Sequence, residues 1–230
     1  MPRIDHYISG LLRLLAAIVF LATNAPAVSA VDQTPPADPD QVLTRIKART
    51  TTVKTLVASF RQERFSRLLE EPLISEGLIY FERDGMILMQ VDTPSSLQLL
   101  IEGQSVTVVD AELGLVKKMR LSRLNQTIKT WLAWDAPLEH LKQQYDLQLT
   151  EQLNHKRYKL QMTPKAANIA RHITAIEVQV SADVLLPEQI IIKSTKGDRT
   201  SVRLRFVSIN EPLPDGIFDI EIPELFQNDR

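Results

Sequence analysis

The stretch Gly77–Asp92, GLIYFERDGMILMQVD, constrains the fold more than any other part of this chain. Asp84-Gly85 marks a tight turn, so the flanking residues read as a β-hairpin. A half-exposed antiparallel strand alternates apolar and polar side chains. Here Leu78, Ile79, Tyr80 and Phe81 run together, as do Met86, Ile87, Leu88 and Met89. Side chains on a strand alternate between its two faces, so both faces of this hairpin must leave water. The sequence therefore requires a sheet that is covered on both sides at this point.

The surrounding pattern is mainly β. TLVASFRQERFS places Leu56, Ala58 and Phe60 on one face of a strand, and SSLQLLIEG, QSVTVVDAELG and LVKKMRL follow the hairpin. Strands resume at DLQLTEQ, RYKLQMTP, HITAIEVQVSA and LPEQIIIKSTKGDRTSVRLRFVSI, with a last short piece near IFDIEI. The spacing is that of an antiparallel meander rather than of alternating strands and helices. It predicts one sheet of about eleven strands, with Lys196-Gly197-Asp198 as a hairpin turn. An open sheet of that size tends to curl, leaving a concave face. Two helical segments are expected besides. One runs from a cap at Asp40 to about Thr52. The other region, Ser122–Tyr145, interrupts the meander: Leu124, Ile128, Trp131 and Leu132 share one helical stripe, and Pro137 opens a second short helix.

The first thirty residues form a separate object. Arg3 and Arg13 precede the apolar LLAAIVFLA, and AVSA ends at Ala30 with the small residues a signal peptidase needs. Residues 1–30 are thus expected to be a secretory signal peptide, 31–39 a flexible leader, and 40–230 one domain. The apolar run falls short of the roughly 20 residues that span a bilayer. A soluble, exported protein is expected.

Composition narrows the chemistry. The chain has 230 residues, no cysteine and a formal net charge of -1. Without cysteine there are no disulfides, thiolate nucleophiles or cysteine-bound metals. The near-zero charge argues against nucleic acid as a partner. The four histidines are scattered and none has the spacing of a zinc site. EGQSV lacks the second glycine of a nucleophile elbow, and no glycine-rich phosphate loop occurs. Glu70-Glu71 reads as a solvated turn. We therefore expect no enzyme, no catalytic residue, no metal and no cofactor.

Several landmarks, taken in order, resemble one known family. ASFRQ lies in the first strand, Gly77 opens the next and Arg83 ends it; Pro94 and Gly103 follow, then YKLQMTPKAAN and the paired strands around TKGDRTSVRLRF. From about Asp40 to Glu224 the chain is similar to the periplasmic outer-membrane lipoprotein carriers, the LolA family. Ile87 and Met89 stand where that family has aromatic residues, and LLEEPLISEG with TWLAWDAPLEHL looks more like a LolA-related branch.

The resemblance implies a curved antiparallel half-barrel under a helical lid, a LolA-like fold, whose apolar cavity shields acyl chains in the periplasm. Phe60, Ile79, Phe81, Ile87, Met89 and Val91 would then line the cavity. Leu124, Ile128, Trp131 and Leu132 would belong to the lid, and Arg83 would latch it. The implied partners are an acylated lipoprotein or related lipid, an inner-membrane release complex and an outer-membrane acceptor, with the carrier a monomer. The alternative is an envelope sensor or protein-interaction module on the same fold.

Overall fold

The computed structural model describes residues 33–34, 38–67, 69–83, 85–110, 112–120, 138–152 and 156–220. Among these, the first elements in chain order are β1 (Gln33–Thr34), α1 (Pro39–Thr51), β2 (Thr55–Phe65), β3 (Leu73–Glu82) and β4 (Met86–Thr93). β5 (Leu97–Glu102), β6 (Ser105–Asp110), β7 (Leu115–Arg120), α2 (Leu138–Gln144) and β8 (Tyr145–Gln152) follow. The last are β9 (Arg157–Pro164), α3 (Ala167–Ala170), β10 (Ile173–Ser181), β11 (Pro187–Ser194) and β12 (Arg199–Ile209). The strands form one sheet in the order β1-β8-β9-β10-β11-β12-β2-β3-β4-β5-β6-β7. The mainly β, antiparallel meander expected from the sequence is what is observed.

Three details differ from the sequence reading. The leader contributes a short strand: Gln33 and Thr34 pair with Gln152 and Glu151 of β8. The piece near IFDIEI is not a strand over its described part. Ile217 N–H donates to Pro214 O, and Asp219 N–H to Gly216 O, which folds Pro214–Asp219 into turns. The cap of α1 is Asp38, not Asp40. Its carboxylate accepts from Gln41 N at 2.9 Å, and Pro39 occupies the first helical position, where a missing N–H costs nothing. Asp40 is left to pair with Lys142 of α2 at 2.8 Å.

The described residues divide into two compact units. One, the helix-bearing unit, takes 38–52, Gln62–Leu73 and 138–203; the other, the hairpin unit, takes Val53–Arg61, 74–120 and 204–220. In the helix-bearing unit, α1 presents Val42, Leu43 and Ile46 to one face of β8–β11. The register stacks two apolar rows there, Leu147–Met162–Ile176–Ile192 and Leu149–Leu160–Val178–Ile190. Met162, Ile176 and Ile192 are fully buried, each contributing on the order of 1.5–3 kcal/mol.

The opposite face of the same strands is largely polar, with Ile191 buried opposite Glu177. Glu177 sits between Lys193 at 2.6 Å and Lys159 at 3.3 Å, Arg157 pairs with Glu188 at 2.8 Å, and Gln189 donates to Ser201 Oγ. Burial alone would raise the Glu177 pKa, but the hydrogen bond from Lys193 and the charges of both lysines outweigh it and hold the carboxyl below its ordinary value.

Candidate functional site

The hairpin unit is built differently. The β3–β4 register opposes Ile79 to Met89 and Phe81 to Ile87, as strand parity requires. The β4–β5 and β5–β6 registers extend these pairs into rows across four strands. One row is Phe81–Ile87–Ile101–Val106, the next Ile79–Met89–Leu99–Val108, and the third Gly77–Val91–Leu97–Asp110. Leu99, Val106 and Val108 are wholly buried, Phe81, Ile79, Met89, Val91, Leu97 and Ile101 nearly so, and Ile87 is half-buried.

Gly77 sets the edge of this face. A Cβ there would collide with the Gln90 carbonyl and lie 3.0 Å from the Phe60 ring, so glycine lets β3, β4 and the phenylalanine approach closely. The same approach places Phe60, buried in β2, on the face of the rows. The structure thus brings Phe60, Ile79, Phe81, Ile87, Met89 and Val91 together on one face. It adds Leu97, Leu99, Ile101, Val106 and Val108, which sequence reasoning missed. Their signal was present: in LQLLIE and SVTVVD, residues two apart carry the same alternation that singles out Ile87, Met89 and Val91.

The second face of the hairpin also finds its cover. Tyr80, Leu88 and Leu100 form a core cluster with Val57, Leu78, Leu213, Ile217, Phe218 and Ile220. The C-terminal segment after β12 therefore lies against the side chains that break the alternation. It is anchored where it leaves β12: Asn210 N–H donates to Thr55 O, Asn210 Oδ1 accepts from Lys54 N, and Thr55 Oγ1 donates to Glu211 O at 2.7 Å.

Arg83 closes β3. Its Nε donates to the Val53 carbonyl at 2.7 Å and its backbone N–H to Lys54 O at 2.8 Å. Gly85 takes φ +97 in the turn that follows, a left-handed conformation that suits glycine. Asp84 and the sequence-predicted lid residues Leu124, Ile128, Trp131 and Leu132 lie outside the described residues.

The chemistry of the first face follows from its composition. Across β3–β6 its first two rows hold only hydrocarbon and one thioether, and in β7 they continue to Met119 and Lys117; in the third row Asp110, opposed by Leu115, accepts from Leu113 N at 2.9 Å. Between β3 and β6 these two rows offer neither a proton to transfer nor a directed hydrogen bond. What they offer is non-directional apolar contact. Elsewhere, burial pushes the Tyr145 hydroxyl above the usual phenol range, and His140 makes an exposed contact with Gln144. Among the described residues no group of three or more His, Cys, Asp or Glu could hold a metal ion, and no helix is long and apolar enough to cross a membrane.

Comparison with known proteins places the sequence in a family. The family model described as "Outer membrane lipoprotein carrier protein LolA" matches residues 51–221. An outer-membrane lipoprotein carrier protein of Pseudomonas putida strain GB-1 is 24% identical over 212 residues, covering 91% of this chain and 97% of the relative. Among solved structures, a LolA superfamily protein from Nitrosomonas europaea is 13% identical with a TM-score of 0.42, covering 78% of this chain and 96% of that one. The Pseudomonas aeruginosa MucA/MucB complex is 18% identical with a TM-score of 0.45, covering 78% of this chain and 60% of the other. The family match spans most of the sequence and includes the whole of the hairpin from Gly77 to Asp92. This chain belongs to the LolA family of outer membrane lipoprotein carrier proteins.

Proposed function

We propose that this chain is a periplasmic carrier that shields the acyl chains of a lipoprotein, or of a related lipid, on the first face of its hairpin unit. In this reading residues 1–30 are removed on export, 31–39 form a leader and 40–230 make up the carrier. It is a monomer that acts as a binding protein without catalysing a reaction, taking cargo from an inner-membrane release complex and delivering it to an outer-membrane acceptor.

One observation carries the reading: across β3–β6 two rows, Phe81–Ile87–Ile101–Val106 and Ile79–Met89–Leu99–Val108, hold no polar side chain, and Lys117 follows the second only at β7. Acyl chains need a surface of this kind, because each methylene withdrawn from water contributes roughly 0.8 kcal/mol and asks for no directed contact. The rows are already out of water within the chain itself. Loading therefore exchanges one apolar environment for another, and the net affinity is the difference between two similar terms. That suits a carrier, which must also let go. Met89 and Ile87 give a softer and more adaptable wall.

Arg83 has a place in the same reading as a latch for the empty state. A guanidinium can satisfy several carbonyls at once, and its bond to Val53 O shows its side chain turned toward backbone. The lid contribution of Leu124, Ile128, Trp131 and Leu132 belongs to this proposal as well.

Native mass spectrometry of the chain purified gently from the cell envelope tests it. The expected result is a mass increment matching an acylated peptide or lipid, lost on adding detergent. A bare chain that also fails to take up a synthetic acylated peptide would overturn the reading.

A further inference from the structure

The connection between β2 and β3, residues 66–72, has no part in the carrier reading, yet it is unusual. Among the described residues six large apolar side chains are exposed, and three of them flank or occupy this one connection: Phe65 at 37%, Leu69 at 43% and Leu73 at 50%. The connection is also pinned. Ser66 Oγ donates to Asp198 at 3.1 Å, and Leu69 N–H donates to Ser66 O at 3.1 Å. The Arg199 guanidinium lies 4.8 Å from the centre of the Phe65 ring. Gly197, at φ +79, leaves room that the Arg67 side chain occupies. All of these residues belong to the helix-bearing unit. The β11–β12 turn thus props up a loop that holds leucines in water.

We propose that this tip is a contact for the surface of a phospholipid bilayer, with Phe65, Leu69 and Leu73 entering the interfacial layer. Size favours a bilayer over a protein. A stable protein interface buries about 1,200 Å² or more, far beyond what three partly exposed side chains on one turn supply. The same side chains suffice for a weak, reversible insertion among lipid headgroups. Charge then defines the kind of contact. The exposed Arg67 and Lys196 are matched by the exposed Glu70 and Glu71, so the tip has no basic excess to draw it to anionic lipid. Its attraction is apolar and barely sensitive to salt. Because Ser66, Arg67 and Leu69 are already held by these contacts, little ordering entropy is lost when they meet the bilayer. The proposal goes beyond the carrier reading and does not depend on cargo in the hairpin unit.

Flotation of the full mature chain with two kinds of vesicle tests it, one of phosphatidylcholine alone and one of phosphatidylethanolamine with phosphatidylglycerol. The parent should float weakly with both, in low and high salt alike. A Leu69→Ser/Leu73→Ser double variant should float about tenfold less while melting at the parent's temperature and taking up an acylated peptide normally. Val207→Ser, which removes an apolar side chain 65% exposed on β12, should float like the parent. In a separate Leu73→Trp variant, the emission in excess of the parent's should shift to the blue when vesicles are added. The proposal is overturned if the parent stays off both vesicles, or if it binds only anionic vesicles at low salt. It is equally overturned if Val207→Ser loses as much as the double variant, if the tryptophan at 73 does not respond, or if the parent forms dimers that the double variant abolishes. The last result would make the tip a self-association surface.

Discussion

The two units differ in how far their strands alternate. In the helix-bearing unit β10 alternates: Ile176, Val178 and Val180 are buried, while Glu177 joins two lysines on the other face, and among the described residues only β11 buries consecutive apolar residues, Ile190 to Ile192. In the hairpin unit the alternation is lost, because Leu99 and Leu100 are both buried, as are Val108 and Val109. A strand with one apolar face needs only one cover, and α1 supplies it. A strand with two apolar faces needs two. The C-terminal segment covers one of them; the other is a face of adjoining hydrocarbon rows that is itself buried. The doubled apolar face thus distinguishes the hairpin unit, the one proposed to hold cargo.

The largest effects should come from deleting buried side chains on the two comparable faces. Leu88→Ala removes a fully buried residue beneath the C-terminal segment, and Ile192→Ala removes one near α1. Each should cost about 2–5 kcal/mol in urea unfolding followed by circular dichroism. If Leu88→Ala cost less than about 1 kcal/mol, the segment from Leu213 to Ile220 would be a loose drape, and the second face would not be a core.

A smaller effect is expected at Arg83, the charged group that ends the apolar hairpin. Arg83→Leu removes a hydrogen bond from a cation to Val53 O, an interaction worth on the order of 1.5–3 kcal/mol. Uptake of an acylated peptide should persist, while its transfer to acceptor membranes should slow, because the empty state is no longer favoured. Unchanged transfer together with unchanged stability would reduce Arg83 to a surface residue.

The smallest effect concerns the polar face of the helix-bearing unit. Glu177 is held below its ordinary value of 4.5 in the folded chain. Its contribution to stability is therefore complete above that value and is lost as pH falls through the lower folded value. Glu177→Gln should flatten the dependence of the urea midpoint on pH in the acid range below 4.5 and leave two lysines without their shared partner. An identical pH profile for parent and variant would mean that Lys159 and Lys193 do not hold the carboxylate in solution.

Much of this was legible in the sequence because it is local. Consecutive apolar residues around Asp84-Gly85 announced a hairpin with two buried faces, parity grouped Ile79, Phe81, Ile87, Met89 and Val91, and Lys196-Gly197-Asp198 marked a turn that Gly197 takes at φ +79. The cover of the second face was not legible. Leu213, Ile217, Phe218 and Ile220 sit among Pro212, Pro214 and Gly216, so they follow neither the helical nor the strand period. Their partners Tyr80 and Leu88 are more than a hundred positions away. Near the end, the alternation in IFDIEI imitates a strand, but turn hydrogen bonds at Pro214 and Gly216 win locally. The cap of α1 shifted for a similarly local reason: either Asp38 or Asp40 could have served, and Pro39 favours the residue before it. The rows across β5 and β6 needed the strand registers, which no single stretch of sequence contains.

The central claim is that cargo meets the first face of the hairpin unit and not the second. Site-specific photocrosslinking tests this most directly, with benzoylphenylalanine placed at Ile87 on the first face or at Leu78 on the second, and an acylated peptide as the probe. Ile87 is half-buried, so it tolerates the larger side chain, and Leu78 is comparably exposed. The account predicts a crosslinked adduct from position 87 that an excess of unlabelled acylated peptide suppresses, and none from position 78. Equal crosslinking at both positions, or an adduct from position 78 alone, would contradict it.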